Sequence, residues 1–335
     1  MAADAPATRD RRPAGSGLSD YLAAQAPVLS IAGFFLLMVL FFAGTADAFT
    51  SQINLLNLLR QSAPLLIVAV AMTFVITTGG IDLSVGSSVA LVNALAAIAL
   101  QAGIPWPLVV VLMLGLGALV GAIQGWFIAY QGIPAFIVTL AGLSILRGIA
   151  LLLTQGFSIP IDSASWFVEL GRGWFIGLPL PAVIAVLVAI AGWIMLGHCR
   201  FGRYVTAIGA NAEAARRASI DIRRVTASVY VLTGMAAAVA GIIIAARLGS
   251  GSSNAAVAFE LEVIAAVVLG GTALMGGRGT IIGTLLGALT MGVIGNGLIL
   301  SHVSPFFTQI VTGAIILAAI WLNTRFFVRL GQGRR

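Results

Sequence analysis

The chain of 335 residues is 60 % hydrophobic and only 9 % charged, a balance that excludes a soluble globular domain of this size. Its charge of +7 comes from 18 Arg and no Lys against 11 acidic residues. Without lysine, neither a Gly-rich, Lys-Ser/Thr phosphate loop nor a retinal Schiff base can form. Apolar runs near the ~20 residues that cross a ~30 Å hydrocarbon core are too long for barrel strands. The expected class is an all-α integral membrane protein.

Residues 1–26 are polar and lack the short apolar core and cleavage site of a secretory signal, so they read as a disordered cytosolic tail. A transmembrane domain is expected over 27–324, with ten spans near 28–46, 62–78, 85–101, 107–130, 134–154, 178–197, 225–246, 260–275, 280–300 and 306–323. Between the second and third spans, "GGIDLSVGSS" breaks one helix at its glycine pair. Asp82 and Ser84 there either cap the next helix or belong to a broken helix, tolerated at membrane depth only where it faces a cavity.

Glycines at helical spacing, Gly117, Gly121 and Gly125 in the fourth span and Gly283 and Gly287 in the ninth, suit close backbone packing in lipid. Gln124 and Asn296 lie beside these stripes. With Asp82, Ser84, Asn93, Phe136 and Phe307 they are the candidates for lining a pathway or forming its gate. Arg147 is the clearest ionisable residue inside a span and either snorkels to the interface or serves a pathway. No ladder of Asp, Glu or His crosses the membrane, which argues against a proton-coupled carrier.

The connection 198–224 carries Arg200, Arg203, Arg216, Arg217, Arg223 and Arg224 against Glu213 and Asp221. A basic tail follows at 325–335, with Arg325, Arg329, Arg334 and Arg335 in or near it. By the positive-inside rule both are cytosolic, and counting spans puts both termini inside. The basic balance then reports topology and contact with the lipid bilayer, with no need of nucleic acid. Cys199 is the only cysteine and His198 and His302 fall on opposite sides, so no metal cluster is expected. Within the connection, "NAEAARRAS" has Asn211 as N-cap and Glu213 in the first turn, and a short surface helix is expected after Gly209. Either a partner pushes on this helix, or it is a basic interfacial loop held by anionic lipid. Glu260 and Glu262, at the outer start of the eighth span, suit a helix N-terminus or an external partner.

A weak repeat relates Gly121, Pro134, Phe136 and Gly142 to Gly292, Pro305, Phe307 and Gly313 at one constant offset. The copies start five spans apart and so would be inverted, as in proteins that alternate access about a midplane. Coincidence is the competing account, since Gly, Pro and Phe are common in membrane helices.

Four ordered stretches, "TTGGIDLSVGS", "IPAFIVTLAGLSILRG", "FGRYVTAIGANAEAARRASI" and "FELEVIAAVVLGGTALMGGRGTIIGTLLGAL", resemble the ribose-type permease family, the membrane subunits of bacterial ATP-binding-cassette sugar importers. The likeness runs from about residue 50 to 325. It implies an inverted-repeat, ten-helix fold similar to that of the cobalamin importer permease, in the bacterial inner membrane. It also implies a second permease copy, identical or not, a periplasmic sugar-binding protein, and a cytosolic ATPase with two fused nucleotide-binding halves that carries the ATP and Mg. This chain itself would bind no cofactor. The family's coupling segment maps onto Asn211, Glu213, Ala214, Ala215, Arg216, Arg217 and Ser219, while Glu260 and Glu262 would meet the binding protein. Ser219 stands where the family commonly has Gly, so the turn ending the coupling helix is expected to differ. Asp82, Ser84 and Gly86 match the first motif, and Gly270, Gly271, Gly276, Gly277, Arg278 and Gly279 the last.

The expected function is thus an importer's permease subunit with no chemistry of its own. A self-sufficient secondary transporter or channel is the alternative and calls for an ionisable midplane site. A membrane-embedded enzyme lacks any set of nucleophile, base and metal.

Overall fold

The computed structural model describes residues 17–304 and positions 307, 310, 311, 313, 314 and 317. Most of the expected tenth span, the basic tail 325–335 and residues 1–16 lie outside the described residues. In chain order the elements begin with α1 (Gly17–Thr45), α2 (Gln52–Thr77), α3 (Val85–Gln101), α4 (Trp106–Ala129) and α5 (Ala135–Thr154). Between α5 and the next long helix come β1 (Ile159–Pro160), a 3-10 turn at Trp166–Val168, α6 (Glu169–Arg172), β2 (Trp174–Phe175) and β3 (Leu178–Pro179). Then follow α7 (Leu180–Gly197), α8 (Arg200–Ala210), α9 (Ala212–Arg217), α10 (Ile222–Leu248), β4 (Ser250–Gly251), α11 (Phe259–Leu269) and α12 (Ile281–Leu300).

Seven of these helices are long and apolar enough to cross a membrane, so the chain is a multi-pass membrane protein. Two more helices are shorter than these seven, α3 over the expected 85–101 and α11. α3 has 17 residues and α11 only 11, about 25 Å and 16 Å of helix against a ~30 Å core. The expected helix over 260–275 is therefore half a span: the chain reaches Phe259 as irregular backbone and continues as helix only to Leu269. α2, in contrast, starts ten residues before the expected 62, because Asn54, Asn57, Arg60 and Gln61 hide its first turns from hydropathy. α1 begins at Gly17, inside the segment expected as a tail.

α2 and α10 form the centre, with 83 % and 78 % of their apolar windows buried against 11–28 % for α1, α4, α5 and α7. Glycine makes this possible. α4 runs antiparallel along α10, and a methyl at Gly117, Gly121 or Gly125 would overlap the backbone of Gly234, Tyr230 or Ala227. α12 runs antiparallel along α2, joined by Thr73 and Thr284 hydroxyls 2.8 Å apart and by Asn54 and Asn296, whose amides exchange two bonds of 2.9 Å.

The interval from Gly121 to Gly292 also carries the last residue of α2, Thr77, onto that of α10, Leu248, and the last residue of α4, Ala129, onto that of α12, Leu300. The two central helices thus occupy equivalent places, and each takes one glycine-bearing antiparallel neighbour. They run in opposite senses, since Gly80, just past the end of α2, touches Tyr230 near the start of α10.

The α4–α10 contact predicts a sharp difference between two glycines of one helix. Gly121→Val should cost about 1–3 kcal/mol through overpacking and lower the melting temperature in detergent. Gly115→Ala, with no atom within 4 Å of the added carbon, should hold it or raise it.

Candidate functional site

Two short helices begin inside the bundle, and each is preceded by backbone that no helix satisfies. Ahead of α3, Gly79 turns the chain with φ +86° and Gly80 lies against the Tyr230 hydroxyl. Asp82, 2 % exposed, accepts through Oδ1 from the Ser84 amide at 2.9 Å and the Ser84 hydroxyl at 2.7 Å. The Ser84 hydroxyl in turn accepts from Gln124 Nε2 at 2.8 Å, and Thr139 Oγ1 donates to the Ile81 carbonyl at 3.2 Å. Asp82 thus closes the turn two residues ahead, while Ser84, at the N-cap position, makes no side-chain cap bond. Gln124 is engaged in this network through its bonds with Ser84.

Ahead of α11 the chain descends through 250–258. β4 pairs with β1, Ile159 opposite Gly251 and Pro160 opposite Ser250. Asn93, fully buried on α3, accepts from the Ser252 amide at 2.6 Å and donates to the Gly241 carbonyl at 3.4 Å. The Thr154 and Ser253 hydroxyls are bonded at 2.8 Å. Arg147 then takes three carbonyls: Nη1 donates to Ser253 at 2.5 Å and Ala255 at 2.8 Å, and Nη2 to Ala256 at 3.2 Å. The guanidinium that the sequence offered to lipid headgroups is spent on backbone. Ala256 and Ala258 hold positive φ of 55° and 61°, a conformation that costs an L-residue roughly 1 kcal/mol and persists only where its surroundings enforce it.

The two helix starts meet. A methyl on Gly86, in the first turn of α3, would overlap the Glu260 carboxylate and the Ala256 carbonyl. Glu260 was expected at the external end of a span, but the chain has already descended along α3 before α11 begins, so its carboxylate sits against Gly86. Its Oε2 is buried without a hydrogen-bond partner. Glu262 faces a cavity of about 530 Å³ that Gln61, Ser62 and Asn296 also line. Phe136 and Phe307 point outward, 56 % and 60 % exposed.

A second constellation lies at the end of the bundle where α2 finishes. Asn211 ends α8 and caps α9, its Oδ1 accepting from the Ala214 amide at 2.9 Å, so the expected short helix forms. Glu213, Ala214, Arg216 and Arg217 are exposed, with Glu213 and Arg217 paired at 2.6 Å. Ala215 is not. It is 3 % exposed and buried in the same core as Val205, Ile208 and Val225, so it belongs to the chain's own packing and cannot form part of a free docking face. Ser219 has φ +60°, and the Ile220 amide bonds back to the Ala215 carbonyl at 3.1 Å. The turn is the left-handed helix ending that glycine favours. Ser219 adopts it rather than altering it. Next to it, Gly209 lies against the Thr77 carbonyl and the Gly277 amide, and Gly277 donates to Thr77 at 2.9 Å.

Residues 54–320 match the family described as the branched-chain amino acid transport system / permease component. The chain belongs to this permease family. The ribose import permease protein RbsC of Escherichia coli (strain K12) is 43 % identical over 278 residues, covering 81 % of this chain and 86 % of that one. The protein of the same name from Bacillus subtilis (strain 168) is 42 % identical, covering 83 % and 87 %. The xylose transport system permease protein XylH of E. coli (strain K12) is 34 % identical, covering 93 % and 95 %. No solved structure matches. The resemblance to ribose-type permeases read from four motifs is borne out, and as a permease the chain is a transport subunit rather than an enzyme.

For this permease the α9 ending gives a direct test. Ser219→Gly removes the Cβ penalty of a left-handed residue and should stabilise the protein by about 1 kcal/mol. Ser219→Val, β-branched at the same φ, should lower the melting temperature instead.

Proposed function

We propose that this permease is the membrane-spanning subunit of an ATP-driven, binding-protein-dependent importer that carries a monosaccharide or similar small polar solute across the bacterial inner membrane. The kinship with permeases named for ribose and xylose supports the substrate class. The observation that carries the coupling mechanism is α9: a helix capped at both ends, anchored inward by Ala215 and offering Glu213, Ala214, Arg216 and Arg217 outward. On this reading α9 docks into a cytosolic ATPase whose two fused halves bind ATP and Mg. The opposite end receives a periplasmic sugar-binding protein. A second permease copy, identical or related, completes the pathway. The matched ends of α2 and α10, and of α4 and α12, support an inverted-repeat fold of ten helices similar to that of the cobalamin importer permease.

The charge pattern supports cytosolic termini and a cytosolic α8–α9 end. Asp82, Ser84, Asn93 and Gln124 act as positioning groups for the two half-helices, and Asn296 and Glu262 face the polar cavity. On this reading Glu260, held against Gly86, serves the junction of the two half-helices.

Sidedness is tested in a Cys199→Ser background. Cysteine at Ser163 should react with an impermeant thiol reagent from the periplasmic side and cysteine at Ala212 should not; the reverse pattern inverts the topology.

Function is tested in liposomes containing the permease, the ATPase and the binding protein. Solute uptake should require ATP and should fail under an ion gradient alone. Ala214→Trp, on the outward face of α9, should keep the melting temperature yet cut ATP-driven uptake at least tenfold. Wild-type uptake by Ala214→Trp removes α9 from the coupling route.

A further inference from the structure

A cavity of about 660 Å³ lies between α4, α7, the start of α8 and α10. Its mouth holds Tyr130 at the end of α4, Phe201 in the first turn of α8 and Arg224 in the first turn of α10. Inward the walls are apolar apart from Ser228, whose hydroxyl is already bonded to the Arg224 carbonyl at 2.7 Å. A second cavity of about 210 Å³ continues it. The two share Met195 and Leu232, and the second runs on past Leu114 and Val188 to Val239 with apolar residues only. Together they make one furrow along α10 from Arg224 to Val239. Fifteen residues of helix are about 22 Å, the depth of one leaflet with its headgroups.

Polarity is confined to one end of the furrow. There Arg223 sits 6.0 Å from the centre of the Tyr130 ring, and Arg200 and Arg203 flank Phe201 in the sequence. Among the described residues, Arg200, Arg203 and Arg223 make no ion pair, and Arg224 has only an exposed contact with Asp221 at 3.0 Å. Trp126 and Tyr130, aromatic rings with polar edges, stand where a membrane interface places them.

We propose that this furrow is a binding site for an anionic phospholipid. Its phosphodiester lies at Arg223 and Arg224, with Arg200 and Arg203 adding positive charge on the neighbouring α8, and one acyl chain lies along α10 between α4 and α7. Basic mouths on apolar grooves between membrane helices recognise lipid headgroups by this combination of charge and burial. A second copy of the chain fits less well, because an isologous contact through this face would set Arg223 and Arg224 against the same pair. The site braces the start of α10 against α8, the two helices that carry α9 between them. It does not depend on which solute the importer carries.

The test uses the full-length chain in detergent and native mass spectrometry. Phosphatidylglycerol and phosphatidylcholine with the same acyl chains are titrated, and phosphatidylglycerol should bind at least tenfold more tightly. Arg223→Gln with Arg224→Gln should erase the preference at an unchanged melting temperature, and Ala122→Phe, which fills the furrow wall, should displace the lipid. Glycerol 3-phosphate should not compete, because the furrow supplies the affinity. Equal retention of both lipids by wild type overturns the proposal, as does competition by glycerol 3-phosphate alone. Efficient crosslinking of two copies through Ala122→Cys in a Cys199→Ser background overturns it as well and makes the face an interface between copies.

Discussion

Inside hydrocarbon every backbone N–H and C=O needs a partner within the protein, because each one left bare costs several kcal/mol. Most of this chain meets that demand with helix. Residues 78–84 and 252–258 depart from it, where irregular backbone enters the bundle ahead of α3 and α11. The side chains around those segments are what the rest of the arrangement serves. Asp82, Ser84 and Thr139 hold the first segment, while Asn93, Thr154 and Arg147 hold the second. Thr139, Arg147 and Thr154 sit on α5 and Asn93 on α3, helices that make close contacts with their neighbours through Gly142 and Gly86, so close packing and polar satisfaction are one problem solved together.

Arg147 shows the energetics most plainly. A guanidinium within an apolar helix is expensive unless its donors are used. The three carbonyls of Ser253, Ala255 and Ala256 in an irregular segment are expensive for the same reason, and each group removes the other's penalty. Bonds from a charged donor contribute more than neutral ones, enough to offset the left-handed geometry at Ala256 and Ala258. Glu260 adds a negative charge beside the N-terminus of α11, where the helix dipole favours it.

The sequence made the long helices legible because their apolar runs are continuous, and it located α9 because Asn211 and Glu213 are local signals whose partners lie within a turn. Arg147 was visible as an anomaly, yet its partners are about a hundred residues away, where no spacing rule reaches. The short length of α11 was hidden since "AAVAFELEVIAAVVLGG" is apolar apart from Glu260 and Glu262, and hydropathy does not distinguish helix from buried coil. Ala215 was misjudged for a related reason. Six residues of helix hold fewer than two turns, too few for periodicity to reveal which side faces inward. Ser219 was flagged as a departure from glycine, but only the backbone angle tells that the turn itself is retained.

The contacts near α9 also bear on how a push there travels. Gly209 rests on the Thr77 carbonyl at the end of α2 and on the Gly277 amide, and Gly277 is bonded to Thr77. These are backbone-to-backbone contacts, with no side chain between them whose rotamers could absorb a displacement. The loop 270–280 then joins α11 to α12, and Gly270 touches Gly283 as closely as the helices allow. In the proposed cycle, motion of α8 and α9 therefore reaches α2, α11 and α12 as movement of whole elements. α11, with 11 residues shorter than α2 and α12, is attached through irregular backbone at both ends. Its outer attachment, held by Arg147, ends against Gly86 at the start of α3. A shift of α11 must either break that contact or carry α3 with it, and this mechanical choice couples the α9 end to the meeting point of the half-helices.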